Sequence, residues 1–290
     1  MTFILSGFAD EISPRLDEQL AVLAAERISF LELRSVWSTN VADLGAADLA
    51  RFRLALDDAG VRVSAIGSPI GKIGVDAPLG PELERLRRVA DIAGELGTRI
   101  VRVFSFFIPP GEPPQRHRQQ VIDRMRALAS IAEARGLVLA HENEKQIYGD
   151  RPERCADLIT AVSSPALRAT FDAANFVQCG VAPHSQAYGL LRPYLVYVQV
   201  KDALAATGEV VPAGQGDGQV RETLSALGNE GFAVISRSSR TWPRPGATAG
   251  TAAPKASAAP PGPSRSCSAS CRCPGDERPR PDPVVSRPGS

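Results

Sequence analysis

Net charge is almost absent from this chain: 33 lysines and arginines stand against 32 aspartates and glutamates, leaving +1 over 290 residues. That balance gives no electrostatic reason to expect nucleic acid or a membrane surface as a partner. Long apolar runs are missing as well. No stretch approaches the length of a bilayer span, and the opening "MTFILSGFADEIS" has no basic leader ahead of a long apolar segment, so the expected location is the cytoplasm. Cysteine is sparse, with 5 residues, and unevenly placed. Cys155 and Cys179 lie in regular sequence, whereas Cys267, Cys271 and Cys273 crowd into "CSASCRC". Without a histidine or a second paired cysteine motif nearby, that cluster reads as accidental, and an intracellular chain keeps such thiols reduced.

What is present is an alternation of short apolar strands with amphipathic helices, the pattern of a parallel sheet with crossover helices. Strands are predicted in "TFILSGFA", "ISFLELR", "VRVSAIGS", "TRIVRVFSFF", "LVLAHENE", "LRATFDAAN" and "YLVYVQVKDA", with an eighth beginning at "EGFAVI". The first helix is expected to start near Ser13 as N-cap with Pro14 at its first position, and the second to close at Gly60. Eight such units in about 240 residues match the rhythm of an α/β fold of the closed (β/α)8 type, a TIM barrel. An open doubly wound sheet is the runner-up. It is disfavoured because the first strand-to-helix turn, "SGFADEIS", has no glycine-rich phosphate cradle.

In a barrel of this type, chemistry gathers where strands end. Asp10 and Glu11 close the first strand, Glu32 and Arg34 the second, His141, Glu142 and Glu144 the fifth, Asp172 and Asn175 the sixth, and Gln199, Lys201 and Asp202 the seventh. Carboxylates meeting in one mouth repel unless a cation neutralises them, and Glu142 with Asp172 is the best pair for a divalent ion. Each acid taken singly could equally cap a helix or pair with an arginine. His141 precedes Glu142 and points to the opposite face by strand alternation, which suits packing or support.

The motifs "FADEIS", "LELRSVW", "HENEKQIYGD", "FDAANFVQCG" and "YVQVKDA" followed by "VVPAGQGDGQV" resemble the xylose isomerase-like TIM-barrel proteins, a family of sugar phosphate isomerases and epimerases. The resemblance runs from about Phe3 to Phe232. It implies one divalent ion held by a Glu on strand five, an Asp on strand six, a His on strand seven and a Glu on strand eight. Carried onto this chain, these are Glu142, Asp172 and, in place of the histidine, Gln199. An amide oxygen favours Mn²⁺ or Mg²⁺, with Co²⁺ or Zn²⁺ the remaining alternatives. Asn175 stands where related epimerases place a substrate-contacting histidine. The implied chemistry is proton transfer beside a carbonyl through an enediolate, with Glu142 as one acid/base group and the strand-eight glutamate as its partner. Lys201, Asp202, Glu144 and Trp37 are the further expected contacts of a small-molecule sugar or sugar phosphate. For Lys201 and Asp202 an ion pair, and for Trp37 core packing, are the competing roles. The "VVPAGQGDG" glycines read either as a phosphate site or as a plain turn. A homo-oligomer is left open.

Three alternatives accompany this reading. An inosose dehydratase or a hydroxypyruvate-type isomerase uses the same fold and enolisation. A non-catalytic sugar-binding barrel with a degenerate site belongs to another class. The abasic-site endonuclease branch is disfavoured, because it needs many histidines and this chain has 3.

After about Ala233 the family pattern stops. Nearly half of the 24 prolines follow Arg237, apolar periodicity vanishes and acids become rare. The expected division is therefore a barrel over 1–235, incomplete at strand eight, and a disordered tail over 236–290. Common GC-rich codons for Val234 to Trp242, read one frame over, spell His-Leu-Ser-Leu-Glu-Pro-His-Leu, the family's strand-eight motif with its glutamate. A frameshift near Ala233 is the expected cause. Its predicted consequences are exposed edges on strands one and seven, one lost metal ligand, and a poorly soluble or impaired protein.

Overall fold

The computed structural model describes residues 3–232 and 234–237. Eight parallel strands form the inner ring: β1 (Ile4–Gly7), β2 (Phe30–Leu33), β3 (Arg62–Ile66), β4 (Ile100–Val103), β5 (Val138–Glu142), β6 (Leu167–Asp172), β7 (Leu195–Val200) and β8 (Val234–Arg237). Their order around the sheet is β1-β8-β7-β6-β5-β4-β3-β2, a closed barrel. The middle strands are covered on both faces, one by the barrel interior and one by helices, which is why Ile100 and Val101 of β4 and Val138, Leu139 and Ala140 of β5 follow one another without polar alternation.

The helices are α1 (Leu16–Ala25), α2 (Ala46–Ala59), α3 (Gly80–Glu95), α4 (Arg118–Ala134), α5 (Pro152–Val162), a short α6 (Ala173–Gln178) and α7 (Val220–Asn229). They lay Leu49, Phe52 and Leu56 of α2, Leu86 and Val89 of α3, Met125 and Leu128 of α4, and Leu158 and Ile159 of α5 against one continuous core. The predicted stop of α2 is where expected: Gly60 takes the left-handed conformation, φ 65°, that a Cβ disfavours. The predicted start of α1 is two residues early. Arg15 is the capping residue, and Ser13 instead accepts the Arg15 amide at 3.1 Å and, through its carbonyl, the Gln19 side chain at 2.8 Å.

The end of the barrel corrects one expectation. Ile4 to Gly7 pair with Val234 to Arg237, and Ser236 and Arg237 pair with Gln199 and Val200, so β8 fills the gap between β1 and β7. Those two strands therefore do not carry the open edges predicted for them, and the strand runs two residues past the expected boundary at 235. The rest of the predicted tail, and any helix after β8, lies outside the described residues.

Register sets the site. Glu142 pairs with Thr170 and Asp172 with Gln199, so the ends of β5, β6 and β7 lie side by side at one mouth of the barrel. Deeper inside, a small polar cluster fills the bore: Ser6 Oγ lies 2.6 Å from Ser64 Oγ, which lies 2.9 Å from the Tyr197 hydroxyl.

Candidate active site

Five strands send polar side chains into one buried layer. Glu32 comes from β2, Arg102 from β4, Glu142 from β5, Asp172 from β6 and Gln199 from β7, and none is more than 8% exposed. Gln199 Nε2 donates to Glu32 Oε2 at 2.9 Å. Arg102 Nε lies 3.3 Å from Glu142 Oε2, and its Nη1 lies 4.0 Å from Glu32 Oε1. The guanidinium is fixed from behind: Nη2 donates to the carbonyls of Gly67 at 3.1 Å and Ser68 at 3.4 Å, and the rings of Phe8 and Phe104 lie 5.1 Å from its carbon on either contact.

Around Asp172 the backbone and two amides make a rigid frame. Asn143 accepts the Asp172 amide at 2.9 Å and donates to the Asp172 carbonyl at 2.9 Å. Asp172 caps α6, its Oδ1 accepting the Asn175 amide at 2.8 Å. Asn175 Nδ2 then reaches Glu142 Oε1 at 3.2 Å and the Asn143 carbonyl at 2.9 Å. Lys201 Nζ closes the group, 3.4 Å from Asp172 Oδ2 and 3.1 Å from Asn175 Oδ1. Glu142, Asp172, Asn175, Gln199 and Lys201 are thus brought together as the sequence predicts. Glu144 sits at the rim on Lys72, 3.1 Å away.

Burial governs the electrostatics. It pushes Glu142 up to about 7, against the pull of Arg102 and with the help of neighbouring Asp172. Burial also raises Asp172, against Lys201 and the Asn175 amide. The carboxylate of Asp172, more than the burial that opposes it, raises Lys201 and keeps it an ammonium. Burial would raise Glu144, but Lys72, the Lys145 amide and Lys201 together hold it below its usual range. His141 is 1% exposed and hydrogen bonded to Ser105 at 2.9 Å, and burial lowers it to about 4, so it stays neutral and supports the β5 mouth as its strand position predicts.

Two expected substrate contacts are corrected. Asp202 is fully buried and its carboxylate is committed to the backbone. Its carboxylate accepts four backbone amides, Ala203 at 2.9 Å, Gly214 at 2.8 Å, Gly216 at 3.0 Å and Gly218 at 2.8 Å. The amides of the "GQGDG" loop are consumed by this acid, so the loop is an organised turn and not a phosphate cradle. A Cβ at Gly216 would stand 2.5 Å from the Ala203 carbonyl oxygen, which explains glycine there. Asp202→Ala, leaving four amides to find other acceptors, is expected to destabilise the fold by about 2–3 kcal/mol in urea denaturation. Trp37 is half-buried and packs against α2. It lies edge-on to Phe52 at 6.4 Å and under the Arg51 guanidinium at 4.3 Å, both on α2.

Arg102 and Asn143 escaped the sequence reading. The signal for Arg102 was a charge inside "IVRV": on a strand whose outer face is covered by helices, such a residue turns into the bore.

The donor set suits a hard cation. Glu142 Oε2 is buried and has no hydrogen bond, since its contact with Arg102 is misaligned, and Asp172 Oδ2 and the amide of Gln199 stand on the next two strands. Among the described residues, no three of the type His, Cys, Asp or Glu form a metal cluster by themselves.

A family model described as xylose isomerase-like TIM barrel matches residues 24–258. The chain belongs to that family. A curated relative, 2-epi-5-epi-valiolone 7-phosphate 2-epimerase from an Actinoplanes species, is 33% identical over 193 residues, which cover 63% of this chain and 66% of the relative. The chain thus spans just under two thirds of that relative's length. Among solved structures, a D-tagatose 3-epimerase-like protein superposes with a TM-score of 0.69 at 18% identity, over 83% of this chain and 91% of the other. A xylose isomerase-like TIM-barrel protein from Mycobacterium smegmatis, in complex with magnesium, gives 0.62 at 21% identity, over 82% and 91%. At these identities the structures speak for the fold of this xylose isomerase-like barrel. No described helix is long and apolar enough to cross a membrane.

Proposed function

We propose that this xylose isomerase-like protein is a sugar or sugar phosphate isomerase/epimerase that moves a proton at the carbon beside a carbonyl. The observation that carries the reading is the buried pair of acids, Glu142 and Asp172, bridged by Asn175 at the barrel mouth. The epimerase relative supports the reaction class, and its phosphorylated substrate supports the sugar phosphate alternative.

Glu142 is the base: its carboxylate is desolvated and held from two sides, by Asn175 at Oε1 and Arg102 at Oε2. Asn175 and Lys201 face the same space and orient hydroxyls, with Glu144 at the rim. A divalent ion would be held by Glu142, Asp172 and Gln199, with Mn²⁺ or Mg²⁺ favoured by the oxygen donors. When bound, it supplies positive charge to polarise the substrate carbonyl. The magnesium bound in the Mycobacterium smegmatis relative supports this choice. The second acid/base group belongs to the strand-eight glutamate of the shifted frame, after about Ala233, in sequence outside the described residues. Its loss leaves the chain as written impaired.

The test compares two proteins, the chain as written and the chain with the frame restored after Ala233. Each is assayed with Mn²⁺ and Mg²⁺ on a panel of ketoses and ketose phosphates, following epimer formation and deuterium uptake from solvent at the α-carbon. Metal-dependent exchange in the restored protein, at least about a hundredfold above the chain as written, is expected for a regained acid/base group. No exchange in either protein would overturn the enzyme reading. It would favour a sugar-binding barrel, a reading supported by Gln199, whose amide is committed to Glu32.

A further inference from the structure

The oxygen atoms offered to a metal ion are not equally free. Asp172 has its Oδ1 engaged by the Asn175 amide at 2.8 Å, so Oδ2 is its ligand oxygen, and the Lys201 ammonium already lies 3.4 Å from it. Inward of Lys72, which is paired with Glu144 at the rim, two cations face the buried acids, Arg102 and Lys201, and they differ in what holds them. Arg102 is wedged between Phe8 and Phe104 and tied to the Gly67 and Ser68 carbonyls. Among the described residues Lys201 is held by Asp172 and Asn175, and 27% of its side chain is exposed against 2% for Asp172. Its flexible stem has an open route to solvent and to the acid at the rim, Glu144, whose field it already feels.

We propose that Lys201 is a built-in counter-cation of Asp172, which a divalent ion must displace in order to bind. A metal on Asp172 Oδ2 would place a double positive charge within a few ångströms of the ammonium, and like charges that close in a poorly solvated site repel strongly. Seating of Lys201 on Asp172 and metal ligation by Asp172 are therefore mutually exclusive. Two consequences follow: the metal-free site keeps its buried acid compensated, and metal entry releases the ammonium into the mouth, where it meets an anionic or hydroxyl group of the substrate. Lys201 thus lowers metal affinity while coupling it to substrate. This inference rests on the metal reading given above.

Metal binding tests it without any need for turnover. Mn²⁺ is titrated into the full chain, with free ion followed by electron paramagnetic resonance, for the wild type, Lys201→Met, Lys201→Gln and Asp172→Asn. Removing the competing ammonium is expected to tighten Mn²⁺ binding about tenfold in both lysine variants, comparable to the loss of one partly exposed ion pair, while Asp172→Asn abolishes it. Circular dichroism and thermal melts verify folding, and if Lys201→Met fails to fold, Lys201→Gln decides. Equal or weaker binding in the lysine variants, with measurable binding in the wild type, overturns the displacement but leaves the metal reading standing. Absence of Mn²⁺ binding in every variant overturns both.

Discussion

Glu142→Gln is expected to lower turnover of the accepted sugar by about a thousandfold while leaving stability within about 1 kcal/mol of wild type. The first figure follows from the proposed role of Glu142: loss of a positioned general base costs about 10²- to 10⁴-fold, and the same change would remove one oxygen donor of the proposed metal ion. The second follows from shape. Glutamine keeps a carbonyl oxygen for Asn175 Nδ2, now 3.2 Å from Glu142 Oε1; Arg102 keeps Glu32 and the Gly67 and Ser68 carbonyls, so it is not orphaned; and the change removes a carboxylate whose ionised form burial already disfavours, pushing it up to about 7. Deuterium wash-in at the α-carbon separates the chemical step from binding: it should fall with turnover, and KM should change less than kcat. A decrease under about tenfold would place the base elsewhere.

The same residue shows how much of the site was legible in the sequence. Glu142, Asp172 and Gln199 end apolar strands, and strand alternation alone predicts that they share a mouth, as they do. Asp202 ends a strand too, and by that rule looks like a ligand-binding acid. What the rule omits is the loop twelve to sixteen residues on, whose glycine amides fold back on it, a contact set by tertiary packing and invisible to local pattern. Trp37 was misread for the reverse reason. An aromatic near a strand end suits a pocket wall, but a short hairpin, Ser35–Val36 with Thr39–Asn40, turns the chain so that the ring meets α2. The ring of eight strands was legible from periodicity. The end of the ring was not, because strand length depends on pairing with β1 and β7 more than on the polar sequence that follows Ile235.

Arg102→Met carries the second large effect, on stability. Methionine fills the space of the stem between Phe8 and Phe104, so little packing is lost and the change falls mainly on charge. Glu142 then loses its nearest cation, 3.3 Å away, inside a layer where it is 5% exposed, and the Gly67 and Ser68 carbonyls lose a charged donor. Breaking a buried pair from one side costs about 3–5 kcal/mol, because the remaining acid keeps the Asn175 amide at 3.2 Å but has no adjacent cation and little water. Urea denaturation should therefore show a loss of that size near neutral pH. Adding Glu142→Gln to Arg102→Met removes the orphaned acid, so the double variant should recover about 1–3 kcal/mol relative to the sum of the two single changes. Strict additivity would mean that the guanidinium serves the Gly67 and Ser68 carbonyls and not the acid. Recovery would identify Arg102 as the permanent cation of the mouth, the fixed counterpart of an ammonium on Lys201 that can leave.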